Sequence, residues 1–143
     1  MAQNSPHILV VDDELSMREL LEYMLTREDY KVSSAQSGRE AISLLEQNHF
    51  DLLLCDIRLG DITGLDVLRA AKQKHPDNVV IMISAYVTTE VAVEAMNEGA
   101  YDYVPKPFDN DELKAAVASA QINLDDLLAG PSEQDIAESE AAI

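Results

Sequence analysis

Ile8-Leu-Val-Val-Asp-Asp-Glu14 and Leu52-Leu-Leu-Cys-Asp-Ile-Arg-Leu59 share one design, four apolar residues in succession followed at once by acid. Runs that stay apolar at consecutive positions, rather than alternating, suit parallel strands covered on both faces by helices. Val79-Val-Ile-Met-Ile is a third run of this kind. Strand-length segments recur near residues 7–12, 31–35, 51–55, 79–84 and 101–105, with amphipathic helical patterns between them. Five βα units with right-handed crossovers predict a doubly wound five-stranded parallel sheet, order 2-1-3-4-5, with helices on both faces. That order sets the first and third strands side by side. Asp12, Asp13 and Asp56 then meet at the carboxyl edge of the sheet, where Lys106 and Ser84 also fall because each ends or follows a strand.

Helix punctuation agrees with this division. Ser37-Gly-Arg-Glu40 reads as a capping box opening the second helix, Asp109 with Glu112 does similar work for the fifth, and Gly99 marks the stop of the fourth. In the first helix Met17, Leu20, Leu21, Met24 and Leu25 recur at helical spacing, which predicts a core-facing stripe.

The 143 residues carry 27 acids against 10 bases, a formal charge of −17, which argues against a nucleic-acid surface on this chain. No apolar run approaches the roughly 20 residues that span a bilayer, and Met1-Ala-Gln-Asn-Ser-Pro lacks the features of a secretion signal. A cytoplasmic chain with no membrane contact is the expectation. Cys55 is the one cysteine and sits inside an apolar strand, so it reads as a buried, reduced thiol.

Three carboxylates brought together repel one another, and a divalent cation removes that penalty. Oxygen ligands without a His or Cys pattern suit Mg²⁺ or Mn²⁺ and argue against zinc. Mg²⁺ commonly joins protein carboxylates to a phosphate, which points to phosphoryl transfer. A carboxylate can attack phosphorus to give an aspartyl phosphate when charge on the equatorial oxygens is neutralised; a metal and Lys106 would do so, and Ser84 would donate a hydroxyl.

Val10-Val-Asp-Asp-Glu14, Asp51-Leu-Leu-Leu-Cys-Asp-Ile-Arg-Leu59, Ile83-Ser-Ala-Tyr86 and Tyr103-Val-Pro-Lys-Pro-Phe108 resemble the receiver domain of bacterial two-component response regulators. The resemblance runs from residue 7 to about 121, in a flavodoxin-like architecture. It implies Asp56 as phosphoacceptor, Asp13 as direct metal ligand, Asp12 as a ligand through water and the Arg58 carbonyl as another. It further implies Lys106 as the phosphate-pairing cation, Ser84 as switch hydroxyl, Tyr103 as switch aromatic and a cis Lys106-Pro107 peptide. The implied donor is a phosphohistidine on a sensor histidine kinase. The receiver would be a phosphoacceptor regulator, not a conventional enzyme, that promotes its own phosphotransfer and dephosphorylation.

Residues 85–96 and 99–108 resemble receivers of enhancer-binding activators that serve the nitrogen-type alternative sigma factor. Their ATPase and DNA-binding domains have no counterpart here, since neither a G-x-x-x-x-G-K-[ST] loop nor a basic helix-turn-helix stretch occurs. Residues 1–121 are therefore expected to form the receiver, and 122–143, with six acids and no base, an acidic linker or tail. Leu113, Val117, Ala120, Leu124 and Leu127 follow a 4-3-4-3 spacing that either extends the fifth helix to about residue 129 as a short two-stranded coiled coil or reflects packing of the first three on the sheet with the rest frayed. A phosphorylation-dependent homodimer through the face of the fourth helix, fifth strand and fifth helix is expected, with Tyr103 turning from exposed to buried. The rival readings are a flavodoxin-like electron carrier, an aspartyl-phosphate phosphatase and a non-phosphorylated interaction scaffold. The first is disfavoured by the acids Asp12-Asp-Glu14 where flavin phosphate would bind, the second by Arg58 where a second acid is usual, and the third by the full set of pocket residues.

Overall fold

The computed structural model describes residues 6–85 and 88–129. Ten elements alternate along it: β1 (His7–Val11), α1 (Leu15–Arg27), β2 (Lys31–Ala35), α2 (Gly38–Gln47), β3 (Leu52–Asp56), α3 (Gly64–Lys74), β4 (Val79–Ser84), α4 (Thr89–Asn97), β5 (Asp102–Pro105) and α5 (Asn110–Ala129). All pairings are parallel and the strand order is 2-1-3-4-5, as the apolar runs predict.

The consecutive apolar residues of each central strand serve two cores. Leu9, Val11, Leu53, Cys55, Val80 and Met82 face one layer with α2, α3 and Ala95 of α4. Ile8, Val10, Leu52, Leu54, Ile81 and Ile83 face the other with α1 and α5. Period-two alternation sends neighbours to opposite faces, and both faces are dry, so no polar residue is tolerated in β3 before Asp56.

The α1 stripe is narrower than its spacing suggests. Leu21, Met24 and Leu25 are buried and Met17 packs in part, but Leu20 is 42% exposed. At 100° per residue Leu20 and Leu25 sit at opposite margins of the stripe, and α1 is rolled onto the sheet toward Leu25. On α5, Leu113, Val117 and Ala120 are buried against the sheet; the side chains of Leu124 and Leu127, Tyr86 and the tail beyond Ala129 lie outside the described residues.

Helix ends follow the sequence signals with one refinement. Asp109 and Glu112 exchange backbone-to-side-chain hydrogen bonds at 2.7 and 3.2 Å. Ser37 Oγ accepts from Glu40 N at 3.1 Å, while the Glu40 carboxylate reaches one residue further back, to Gln36 N at 2.8 Å. Gly99, with φ of 107°, follows the end of α4.

Candidate functional site: an acidic pocket at the sheet edge

Parallel register builds the pocket. Val11 pairs with Cys55 across β1 and β3, so the next residues, Asp12 and Asp56, leave the sheet at the same level. Asp12 is 2% and Asp56 6% exposed, whereas Asp13 is an exposed residue. Carboxylate oxygens of all three lie within 4.8 Å of one another. Lys106 follows β5, two strands from β3, and its long side chain reaches across the end of β4. Nζ donates to Asp12 Oδ2 at 2.8 Å and Asp56 Oδ2 at 2.9 Å, with Glu14 Oε1 at 3.7 Å.

The free carboxylate oxygens are aimed by backbone amides. Glu14 N donates to Asp12 Oδ1 at 2.9 Å, and Arg58 N donates to Asp56 Oδ1 at 3.1 Å. Arg18 on α1 donates from its guanidinium to the Asp12 carbonyl at 2.7 Å, which steadies the turn holding the first two acids. Burial raises the Asp12 pKa, an effect that the Lys106 hydrogen bond offsets only in part. Burial also opposes the charge on Lys106, but hydrogen bonds and charges from Asp12 and Asp56 outweigh it and hold its pKa above the usual lysine value. Lys106 and the Arg18 guanidinium stand beside four carboxylates, so the acids outnumber these two bases. An all-oxygen donor set with an excess of acids fits a hard divalent cation.

Residues 8–118 match the family described as response regulator receiver domain. The chain belongs to the response regulator receiver family. Among the relatives of this receiver, the response regulator protein PilR of Pseudomonas aeruginosa is 44% identical over 112 residues, 78% of this chain and 25% of PilR. The transcriptional regulatory protein ZraR of Escherichia coli K12 is 39% identical over 120 residues, 84% of this chain and 27% of ZraR. The chain thus spans about a quarter of the length of the curated relatives it matches. A crystal structure of the response regulator TrrA from Thermotoga maritima in complex with Mg²⁺ and beryllofluoride is 36% identical, with a TM-score of 0.74 over 80% of this chain and 98% of that one. The relatives are transcriptional regulators, as the sequence resemblance to enhancer-binding activators leads one to expect.

In this receiver the expected switch residues converge on one carbonyl. Ser84 is buried, and its backbone oxygen accepts from Lys106 N at 2.9 Å and from the Tyr103 hydroxyl at 3.3 Å. Tyr103 is half-buried and packs against the α2–α3 core, between the exposed and buried positions expected of the switch aromatic. The Lys106-Pro107 peptide is cis. Arg58 lies on the rim, where its backbone forms a bridge with Thr63 that closes the β3–α3 loop.

Several residues of the site were not picked out from the sequence. Glu14 belongs to the acidic run but was given no contact with Lys106, and Arg18 carries no signature beyond standing near Asp12. Thr63-Gly-Leu-Asp66 was readable as a capping box, and Asp66 does accept from Thr63 N while Thr63 Oγ1 accepts from Asp66 N. Asp61 pins the same loop to α2, its two carboxylate oxygens accepting from Gly38 N and Arg39 N, each at 3.0 Å. The Arg39 amide is the main cause that lowers the Asp61 pKa from 3.8 to about 2. Because the folded value is the lower one, its stabilisation is complete above the ordinary carboxylate pKa of 3.8 and is lost as pH falls toward about 2. Asp61→Asn should therefore flatten the acid limb of stability between those two pH values, as followed by urea titration at each pH. An unchanged limb would show that Asp61 is not a stabilising contact.

Proposed function

We propose that Asp56 accepts a phosphoryl group from a phosphohistidine on a sensor histidine kinase and that the resulting charge resets the face bearing α4 and β5. The observation that carries this reading is the buried Asp12–Asp56 pair, bridged by one lysine at 2.8 and 2.9 Å and flanked by a third, exposed acid. A carboxylate oxygen of Asp56 attacks phosphorus, the P–N bond to the donor imidazole breaks, and the imidazole leaves with the bonding pair and takes up a proton. Asp12, Asp13, Asp56 and the Arg58 carbonyl would hold Mg²⁺, with Mn²⁺ as a substitute. When bound, the metal supplies positive charge to the phosphoryl oxygens. Lys106 gives up its bonds to the carboxylates and pairs with a phosphoryl oxygen, while the Ser84 hydroxyl donates to another. Tyr103 then loses or reshapes its bond to the Ser84 carbonyl, which passes the change to β5 and α4. Water attack on the acyl phosphate would return the domain to rest.

The output face is the shallow groove of about 530 Å³ bordered by Thr88, Ala92, Val93, Met96, Asp102 and Tyr103. Val93 and Met96 are 52% and 47% exposed there, a small apolar patch suited to a second copy of the domain. A homodimer formed on phosphorylation, possession of effector domains like those of the longer relatives and a cytoplasmic location complete the proposal. Residues 1–121 act as the receiver and the acidic segment after them as a linker. Among the described residues no helix is long and apolar enough to cross a membrane. The non-phosphorylated scaffold reading finds no support, because no expected pocket residue is missing from the sequence and Asp12, Asp13, Asp56 and Lys106 lie together.

Intact-mass spectrometry after incubation with acetyl phosphate and Mg²⁺ tests the chemistry. One phosphate mass should appear, and should vanish with Asp56→Ala and with EDTA. A folded wild-type protein that gains no mass even from a phosphohistidine donor would overturn the proposal. Sedimentation tests the output: beryllofluoride and Mg²⁺, which mimic the phosphorylated aspartate, should convert monomer to dimer at micromolar concentration. A persistent monomer would remove the dimer from the mechanism.

A further inference from the structure

The fourth helix is held unlike the others. Of the nine residues of α4 only Ala95 is buried, with Val91 packed in part, whereas α3 buries five residues. Apolar contact therefore fixes α4 weakly. A single side chain of α3 compensates. Arg69 Nε donates to Glu98 Oε2 at 2.7 Å, one terminal nitrogen to Glu94 Oε2 at 3.0 Å, and the other to Asp66 Oδ1 at 3.1 Å. Glu94 on α4 and Glu98, the residue capping its C-terminal end, stand one turn apart and would repel each other without a cation between them. The planar guanidinium serves three carboxylates at once, which an ammonium could not do with the same geometry.

The far side of this cluster leads back to the pocket. Asp66 uses its other oxygen to cap Thr63 at 3.2 Å, and Thr63 is the residue bridged to Arg58, two positions beyond Asp56. A polar chain thus runs from the loop after Asp56 through Thr63, Asp66 and Arg69 to Glu94 and Glu98. It shares no residue with the Ser84–Tyr103 route. Each exposed pair alone contributes little, but all hinge on one donor, so one substitution releases them together.

We propose that Arg69 is a clamp tying α4 to the loop that follows Asp56, and that the tie is stronger in the resting state than in the phosphorylated one. The second half rests on the phosphoacceptor reading above; the clamp itself does not. A position of α4 favoured by Arg69 in the resting state opposes the phosphorylated state, and by linkage its removal must favour ligands of that state.

Hydrogen–deuterium exchange of the full chain tests the clamp, and beryllofluoride binding in the presence of Mg²⁺ tests the coupling. Arg69→Ala should speed amide exchange in residues 89–98 roughly tenfold while leaving β1 and α1 unchanged. It should tighten beryllofluoride binding about threefold. Glu94→Gln with Glu98→Gln should reproduce both effects, and combining these changes with Arg69→Ala should add nothing further. Unchanged exchange in α4 overturns the clamp. Faster exchange with unaltered beryllofluoride affinity overturns the coupling. A wild-type protein that binds no beryllofluoride removes the phosphoacceptor reading and the coupling with it, while exchange in α4 still decides the clamp.

Discussion

Lys106→Met should destabilise the metal-free protein at neutral pH by about 3 kcal/mol, because it leaves two buried carboxylates facing each other without a counter-charge. Methionine keeps most of the length and apolar stem of lysine, so the loss isolates the ammonium and its bonds to Asp12 and Asp56 at 2.8 and 2.9 Å. Two further signs distinguish lost charge from lost packing. Without Lys106 the burial that raises the Asp12 pKa is no longer offset by that hydrogen bond, so Asp12 takes up a proton more readily in the folded state than in the unfolded state and stability should rise as pH is lowered from 7 toward 5. Mg²⁺ should also stabilise the variant more than the wild type, since no ammonium competes for the same carboxylates. Phosphate incorporation from acetyl phosphate should fall about a hundredfold, the scale expected when one donor to a developing phosphoryl charge is removed. Urea titrations at several pH values, with and without Mg²⁺, supply the readout. A variant as stable as the wild type without metal would mean that the acid pair needs no lysine.

Gly64→Ala should lower stability by about 3 kcal/mol, against the direction that helix propensity alone suggests. At an open helical position alanine is favoured over glycine by about 1 kcal/mol. Gly64 begins α3, and its amide donates to the Ile57 carbonyl at 2.7 Å, which draws the helix start onto the end of β3. A Cβ there would collide with the Asp56 carbonyl oxygen and stand 2.8 Å from Ile57 Cα. Both are backbone, so neither can turn aside. The helix start has to back away, carrying Thr63 and the loop that aims Asp56. A fall in melting temperature of roughly 10 °C is expected, together with slower phosphorylation of the fraction that stays folded. A melting temperature equal to or above the wild-type value would refute the close approach.

Much of the site was legible because parallel α/β sheets place strand ends at one edge. Asp12, Asp13, Asp56, Ser84 and Lys106 could be grouped from strand boundaries alone, since each ends or follows an apolar run. Side-chain reach and rotation about helices were not legible. The sequence marked Lys106 as a cation of the pocket, but its simultaneous hold on Asp12 and Asp56 depends on how the loop after β5 crosses the end of β4. Leu20 matched the apolar stripe of α1 and lies outside it, because the roll of a helix on a sheet is set by packing across the whole interface. Tyr103 was expected to turn between exposed and buried positions, but the sequence held no sign that its hydroxyl would be held by a carbonyl nineteen residues earlier.

What the sequence determined by itself is the order of elements, their parallel arrangement, the two-faced burial of the central strands and the acidic edge. All of these depend on periodicity and on which residue ends each run, and both are local properties of the chain. Tertiary structure alone decided the contacts made by residues with no local signature: Arg18 on the Asp12 carbonyl, Asp61 on the amides of α2, Gly64 against Asp56, and Arg69 among three carboxylates from two helices. Apart from the i,i+3 pair Asp66–Arg69 and the nearby Arg18–Asp12 contact, these pairings join segments brought together only when the sheet is assembled, so no spacing along the chain encodes them.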